Sequence, residues 1–128
     1  MLKLHVNNEY ARLKAVLFGT AQSNGFIPSA ENCYDPSSLS HVLAGTYPTE
    51  TDMQYEMSAV MTIFQKYGVE VFRPSTIENC NQIFARDIAF VIDTKFIKSN
   101  ILPDRAEEYH ALGSLLEQIN PNDIIELP

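Results

Sequence analysis

Apolar residues fall along this chain in short blocks, separated by polar stretches rich in Pro, Gly, Ser and Asn. "LKAVLFG" (13–19) is an apolar run closed by Gly19, the pattern of a buried strand. Residues 20–48 carry no sustained period, which predicts a long loop, a functional lid or a disordered segment. A short helical turn near "DPSSLSHVL" is the exception, with Ser37 or Asp35 as its cap. "TETDMQYEMSAVMTIFQKYG" (49–68) has the clearest period: Met53, Met57, Val60, Phe64 and Tyr67 recur at spacings of four and three. That spacing predicts an amphipathic helix, capped by Thr49 or Thr51 and ended by Gly68.

"VEVFRP" (69–74) alternates and stops at Pro74, so it reads as a strand after that helix. "IAFVID" (88–93) and "KFIKS" (95–99) predict two strands joined by a tight hairpin at Asp93-Thr94. Pro103 suits the first turn of a second helix over 103–118, with Tyr109, Leu112, Leu115 and Leu116 on its apolar side. "DIIELP" (123–128) opens a last strand. The order is strand, long loop, helix, strand, hairpin, helix, strand, which indicates an α/β layered domain. The last strand meets Pro128 soon after it begins, so the chain reads as the first part of a longer domain.

The 128 residues favour a single unit, 1–128. The formal charge of −7, with no Lys/Arg cluster, argues against nucleic acid as a partner. No apolar stretch approaches the roughly 20 residues of a membrane helix, and "MLKLHVNNEY" has no long apolar segment of a signal peptide. Cys33 and Cys80 are not in metal-ligand spacing. The expectation is a cytoplasmic protein with reduced thiols and neither metal nor cofactor.

The candidate chemistry centres on "NQIFARDIAFVI" (81–92), where Arg86 and Asp87 stand at the mouth of an apolar run. A carboxylate held at the entrance of a buried strand can take paired hydrogen bonds from a planar guanidinium. In a strand Arg86 faces the other way, so the two need not be partners. Equally, Asp87 can cap a loop or form a structural ion pair. Asn79, Asn81 and Gln82 place amides on the preceding loop, where turn chemistry is the plain explanation. His5, His41 and His110 are widely spaced and read as surface residues. Cys80 has Glu78 nearby, which raises a thiol's pKa and argues against a nucleophile. Met53, Met57 and Met61 at helical spacing read as core packing. The residues by themselves supply no complete catalytic set.

Four segments, in order, resemble a known family. "NEYARLKAVLFG", "TYPTETDMQYEMSAVMTIFQKYGVEVFRP", "NQIFARDIAFVIDTKFI" and "LPDRAEEYHAL" are similar to the N-terminal portion of the guanidino-group modifying enzymes, the amidinotransferase, dimethylarginine dimethylaminohydrolase and arginine deiminase-like superfamily. The resemblance implies a pentein-like fold, a propeller-like pseudo-symmetric α/β barrel of ββαβ modules, truncated here after the first modules. It implies attack by a cysteine thiolate on the guanidinium carbon of arginine or a related compound, through a covalent intermediate. The nucleophile, the histidine and its partner acid would lie beyond this chain, so no catalytic residue is placed within it. Asp87 matches the family's guanidinium-binding carboxylate. Asn81 falls where the hydrolase branch carries a second such carboxylate, and is placed in the substrate site as a neutral amide. Loop 20–48 falls at the family's active-site lid.

Three functions follow as expectations. The first is an enzyme of which this chain forms the N-terminal part, inactive alone and homo-oligomeric through its exposed strand edges. The second is a non-catalytic α/β module that binds arginine-like cations or another subunit. The third is a stand-alone α/β domain unrelated to the family.

Overall fold

Two small sheets carry the chain, in a computed structural model that describes residues 1–33 and 35–128; Tyr34, in the expected lid segment, lies outside them. In the first sheet β1 (Ala15–Leu17) pairs in parallel with β2 (Glu70–Phe72), with Val16 opposite Val71. Two parallel strands need a long crossover, and it is made by α1 (Pro36–Ala44) and α2 (Glu50–Lys66). The expected strand 13–19 is thus present but shorter, with Phe18 still donating its amide to the Phe72 carbonyl.

The segment expected to be irregular is not irregular throughout. It contains a 3-10 turn (Ala30–Asn32) and α1, nine residues long rather than a single turn. Asp35, one of the two expected caps, accepts the Ser38 amide at 2.8 Å, and Pro36 presets the first turn. Gly45 ends α1 at φ +67°, a left-handed conformation that glycine adopts without penalty.

α2 starts in a full capping box: Thr49 Oγ1 accepts the Asp52 amide at 3.2 Å, and Asp52 Oδ2 accepts the Thr49 amide at 3.0 Å. Its inner stripe is Met53, Met57, Met61 and Phe64, all half-buried, and Phe64 meets Phe18 edge-on. Val60 and Tyr67, expected on that stripe, are exposed. A sheet of two strands is too narrow to cover a wider face of the helix.

The second sheet has the order β3 (Ala89–Ile92), β4 (Lys95–Lys98), β5 (Ile124–Glu126). β3 and β4 form the expected hairpin, turning at Asp93 with φ +51°. β5 joins β4 in parallel. Val91, Phe96 and Ile124 lie across one face and pack on the core of Ile88, Ala89, Phe96, Leu112, Leu115 and Ile119, which Leu17 and Phe72 of the first sheet also touch. Leu2 and Leu4 join the same cluster, and Val6 bridges to Asp93, so the N-terminal segment is packed rather than loose.

The helix expected over 103–118 is broken. A 3-10 turn (Pro103–Arg105) leads into α4 (Glu107–His110), and α5 (Gly113–Leu116) follows. Gly113, a poor helix former, sits at the break, and the Leu112 amide reaches back only to the Tyr109 carbonyl. The expected apolar side survives the break: Leu112 and Leu115 are buried, and Tyr109 and Leu116 pack against them. The α/β class stands. Among the described residues the sheets do not close into a barrel, and no helix is long and apolar enough to cross a membrane.

Candidate functional site

The site around Asp87 is fixed from β1 outward. Gly19 lies where a side chain cannot: a Cβ there would stand 2.1 Å from the Ile83 carbonyl oxygen and 2.3 Å from that of Gln82. This close approach lets Thr20 donate its amide to the Gln82 carbonyl at 3.0 Å, tying the end of β1 to the segment that leads to Asp87. Gln82 is the anchor of that segment. It is 2 % exposed, donates Nε2 to the Ser75 carbonyl and accepts the Ile77 amide on Oε1 at 2.7 Å. Asn81 is exposed, and its Oδ1 accepts the Ile83 amide at 3.1 Å. Its side-chain oxygen therefore serves the local turn.

Asp87 does not stand on a strand. Residues 85–88 form a helical turn, α3 (Ala85–Ile88), and the strand begins only at Ala89. Ala85 and Ile88 face inward from this turn, while Arg86 and Asp87 face out together. The expected opposition of Arg86 and Asp87 is accordingly reversed. Helical geometry sets neighbours about 100° apart, and Arg86 Nε lies 3.6 Å from Asp87 Oδ1. Arg86 is 82 % exposed and stacks its guanidinium over Phe84, so this contact is loose.

The tighter partner is Arg105, from the turn before α4. Its Nη1 donates to Asp87 Oδ2 at 3.0 Å. Its Nε and Nη2 clamp both oxygens of Glu108 at 2.6 and 3.0 Å. Glu108 is only 3 % exposed, so its charge is met by one two-pronged guanidinium rather than by water. These bonds, those to Glu108 first, raise the Arg105 pKa well above its ordinary value. Asp87 thus already holds a guanidinium, that of its own chain, while its carboxylate remains 44 % exposed. Neither Arg105 nor Glu108 was singled out from sequence, although "DRAEE" does place an arginine three residues before an acid at helical spacing.

The other candidates lie apart from this cluster's hydrogen bonds. His5 is exposed beside Asp93, His110 beside Glu107, and the His41 ring bonds to Thr46. Both cysteines are free thiols, half-buried. Burial pushes the Cys80 thiol up, with the charge of Glu108 acting in the same direction. The acids responsible are Glu108 and Glu107 from across the fold, not Glu78.

Comparison with known proteins bears out the expected relationship at the level of the fold. No family model matches the chain, and no curated protein sequence does. The solved structures similar to it include two that cover almost its whole length. One is inosamine-phosphate amidinotransferase StrB1 from Streptomyces griseus, with 21 % identity and a TM-score of 0.71, covering 99 % of this chain. The other is SxtG, an amidinotransferase from Microseira wollei in the saxitoxin biosynthetic pathway, with 19 % identity, a TM-score of 0.67 and 97 % coverage. The chain spans less than half the length of either, 44 % and 43 %. Its α/β arrangement is therefore the one found within amidinotransferases.

Proposed function

We propose that the chain forms the N-terminal part of an enzyme acting on the guanidino group of arginine or a related compound, with Asp87 receiving the substrate guanidinium. The fold likeness to two amidinotransferases supports the class. The observation that carries the residue assignment is the bond from Arg105 to Asp87: the carboxylate is already set in a position that a planar guanidinium can reach edge-on. Arg105 takes Oδ2 and is itself balanced by Glu108, while the Asp87 side chain stays 44 % exposed and, among the described residues, Oδ1 has only the loose Arg86 contact. In this reading the first modules of a propeller-like ring supply the binding carboxylate and, in 20–48, the lid. The cysteine nucleophile of the covalent intermediate lies outside the chain, which alone turns over no substrate. In the same reading Asn81 joins the substrate site as a neutral amide, although its Oδ1 already accepts the Ile83 amide.

Assembly belongs to the same proposal. Phe90, Ile97 and Ile125 are aligned across the outer face of the second sheet, and Phe90 and Ile125 are each 41 % exposed. β3 and β5 are its edges. An apolar face with open edges recruits a partner, and the proposed one is a second copy.

A second reading is favoured by the same ion pair: Asp87 serves only to hold Arg105. Titration with guanidinium chloride, L-arginine and agmatine, followed by NMR at the amides of Phe84 to Ala89, separates the two. Saturable shifts that Asp87→Asn abolishes support substrate binding. Shifts absent, or identical in the variant, leave Asp87 as a structural acid.

A further inference from the structure

A cleft of about 430 Å³ opens between α2 and the ends of the first sheet, lined by Thr20, Gln22, Glu50, Gln54, Ser58 and Arg73 among others. That volume falls within the roughly 300–1,000 Å³ of small-molecule sites. Arg73, just past β2, is its cation. Its guanidinium lies over the Phe18 ring, 5.3 Å from the centroid, and Phe18 is itself held edge-on by Phe64 at 5.4 Å. A guanidinium pinned by its face has its N–H edges free, the geometry that grips an oxyanion. Among the described residues no carboxylate lies within 4.0 Å of it. Desolvation of this guanidinium lowers its pKa, although the residue as a whole is exposed.

Among the remaining polar groups of the cleft, Thr20 and Gln22 present open donors. Glu50 is engaged by three donors: its two oxygens accept the backbone amides of Ser23 and Asn24, at 3.0 and 3.1 Å, and the Gln54 side chain at 2.7 Å. Within α2, Gln54 gives one N–H to Glu50, and Ser58 gives its hydroxyl to the Gln54 carbonyl. The Thr20 oxygen accepts the Gln22 amide, and the Gln22 side-chain oxygen accepts from Thr76; among the described residues neither the Thr20 hydroxyl proton nor the Gln22 NH₂ has an acceptor. A guanidinium, a hydroxyl and an amide with open protons line one cleft, while the oxygens of its Glu50 carboxylate are engaged by three donors.

We propose that this cleft is a binding site for the oxyanion of a small molecule, a carboxylate or a phosphate, held by Arg73 with help from Gln22 and Thr20. It goes beyond the guanidino reading and does not depend on it. The test titrates the protein with succinate and, separately, inorganic phosphate at constant ionic strength, with chloride as control, following the Arg73 Nε–H resonance and the amides of Gln22 and Ser58. Saturable shifts with either anion and none with chloride are expected; the tighter anion identifies the source. Arg73→Gln should weaken binding roughly tenfold or more, since a charge-assisted bond is lost. Gln22→Ala, at the exposed rim, should weaken it without touching the Phe18 stack. Asp87→Asn should leave it unchanged, which separates this site from the other. Linear shifts shared with chloride, or saturable binding retained in both Arg73→Gln and Gln22→Ala, would overturn it.

Discussion

Removing Arg105 tests the electrostatic centre of the fold. Arg105→Ala deletes the one guanidinium that clamps both oxygens of Glu108, at 2.6 and 3.0 Å, in a position where Glu108 is 3 % exposed. Breaking a buried pair from one side strands a charge and costs about 3–5 kcal/mol. The contact to Asp87 contributes little beyond that, about 0–1 kcal/mol, because Asp87 is 44 % exposed and water screens it. For a chain of this length the loss corresponds to a melting temperature lower by roughly 10–20 °C. The assay is urea and thermal unfolding at neutral pH for the wild type, Arg105→Ala, Glu108→Gln, and the double variant. Glu108→Gln in the Arg105→Ala background should recover a large part of the stability, because it removes the stranded charge. A loss below about 1 kcal/mol for Arg105→Ala, the worth of an exposed pair, with no recovery in the double variant, would refute the view that Arg105 neutralises a buried acid.

Gly19→Ala places a Cβ 2.1 Å from the Ile83 carbonyl oxygen, against backbone on both sides of the clash. Forcing atoms into filled space costs about 1–3 kcal/mol or more, and urea unfolding should show that loss together with broadening of the Thr20 and Gln82 amides. Asp52→Asn weakens the cap of α2. The Asp52 carboxyl sits below its ordinary value of 3.8 because Thr49 hydrogen-bonds it. A depressed folded-state pKa stabilises above the unfolded value and is lost as pH falls through the folded one. The stability gap between wild type and Asp52→Asn should therefore be full at pH 7 and should shrink below pH 3.8, as read by denaturation at each pH. A gap unchanged in acid would contradict the cap. Sedimentation at rising concentration should show a mass above the monomer, and Phe90→Lys should suppress it; a monomer at every concentration would argue against self-association through the second sheet.

Local pattern was enough for the elements whose signals are local. The Thr49 cap, the period of α2, the Asp93-Thr94 hairpin and the apolar side running through Leu112 and Leu115 were all readable, because capping, helical spacing and turn chemistry act within a few residues. The Arg86-Asp87 pair also stood out, since charges beside an apolar run are unusual. What sequence could not reach was set by groups far apart in the chain. The run from Ile88 looked like a strand beginning at the charges, but the Asp87 amide closes a turn onto Phe84, and pairing with β4 starts only at Ala89. Alternation placed Arg86 and Asp87 on opposite faces; the helical turn put them side by side. The partner of Asp87 is eighteen residues away, and the backbone donors that engage the Glu50 oxygens come from a loop twenty-six and twenty-seven residues before it. Likewise Gly19 looks like any strand-ending glycine until Ile83 is folded against it. Side-chain identity fixes which pairings are chemically possible, but only the packing of distant segments decides which of them form, because a charge or a donor in this fold is satisfied by whatever group the chain brings within about 3 Å.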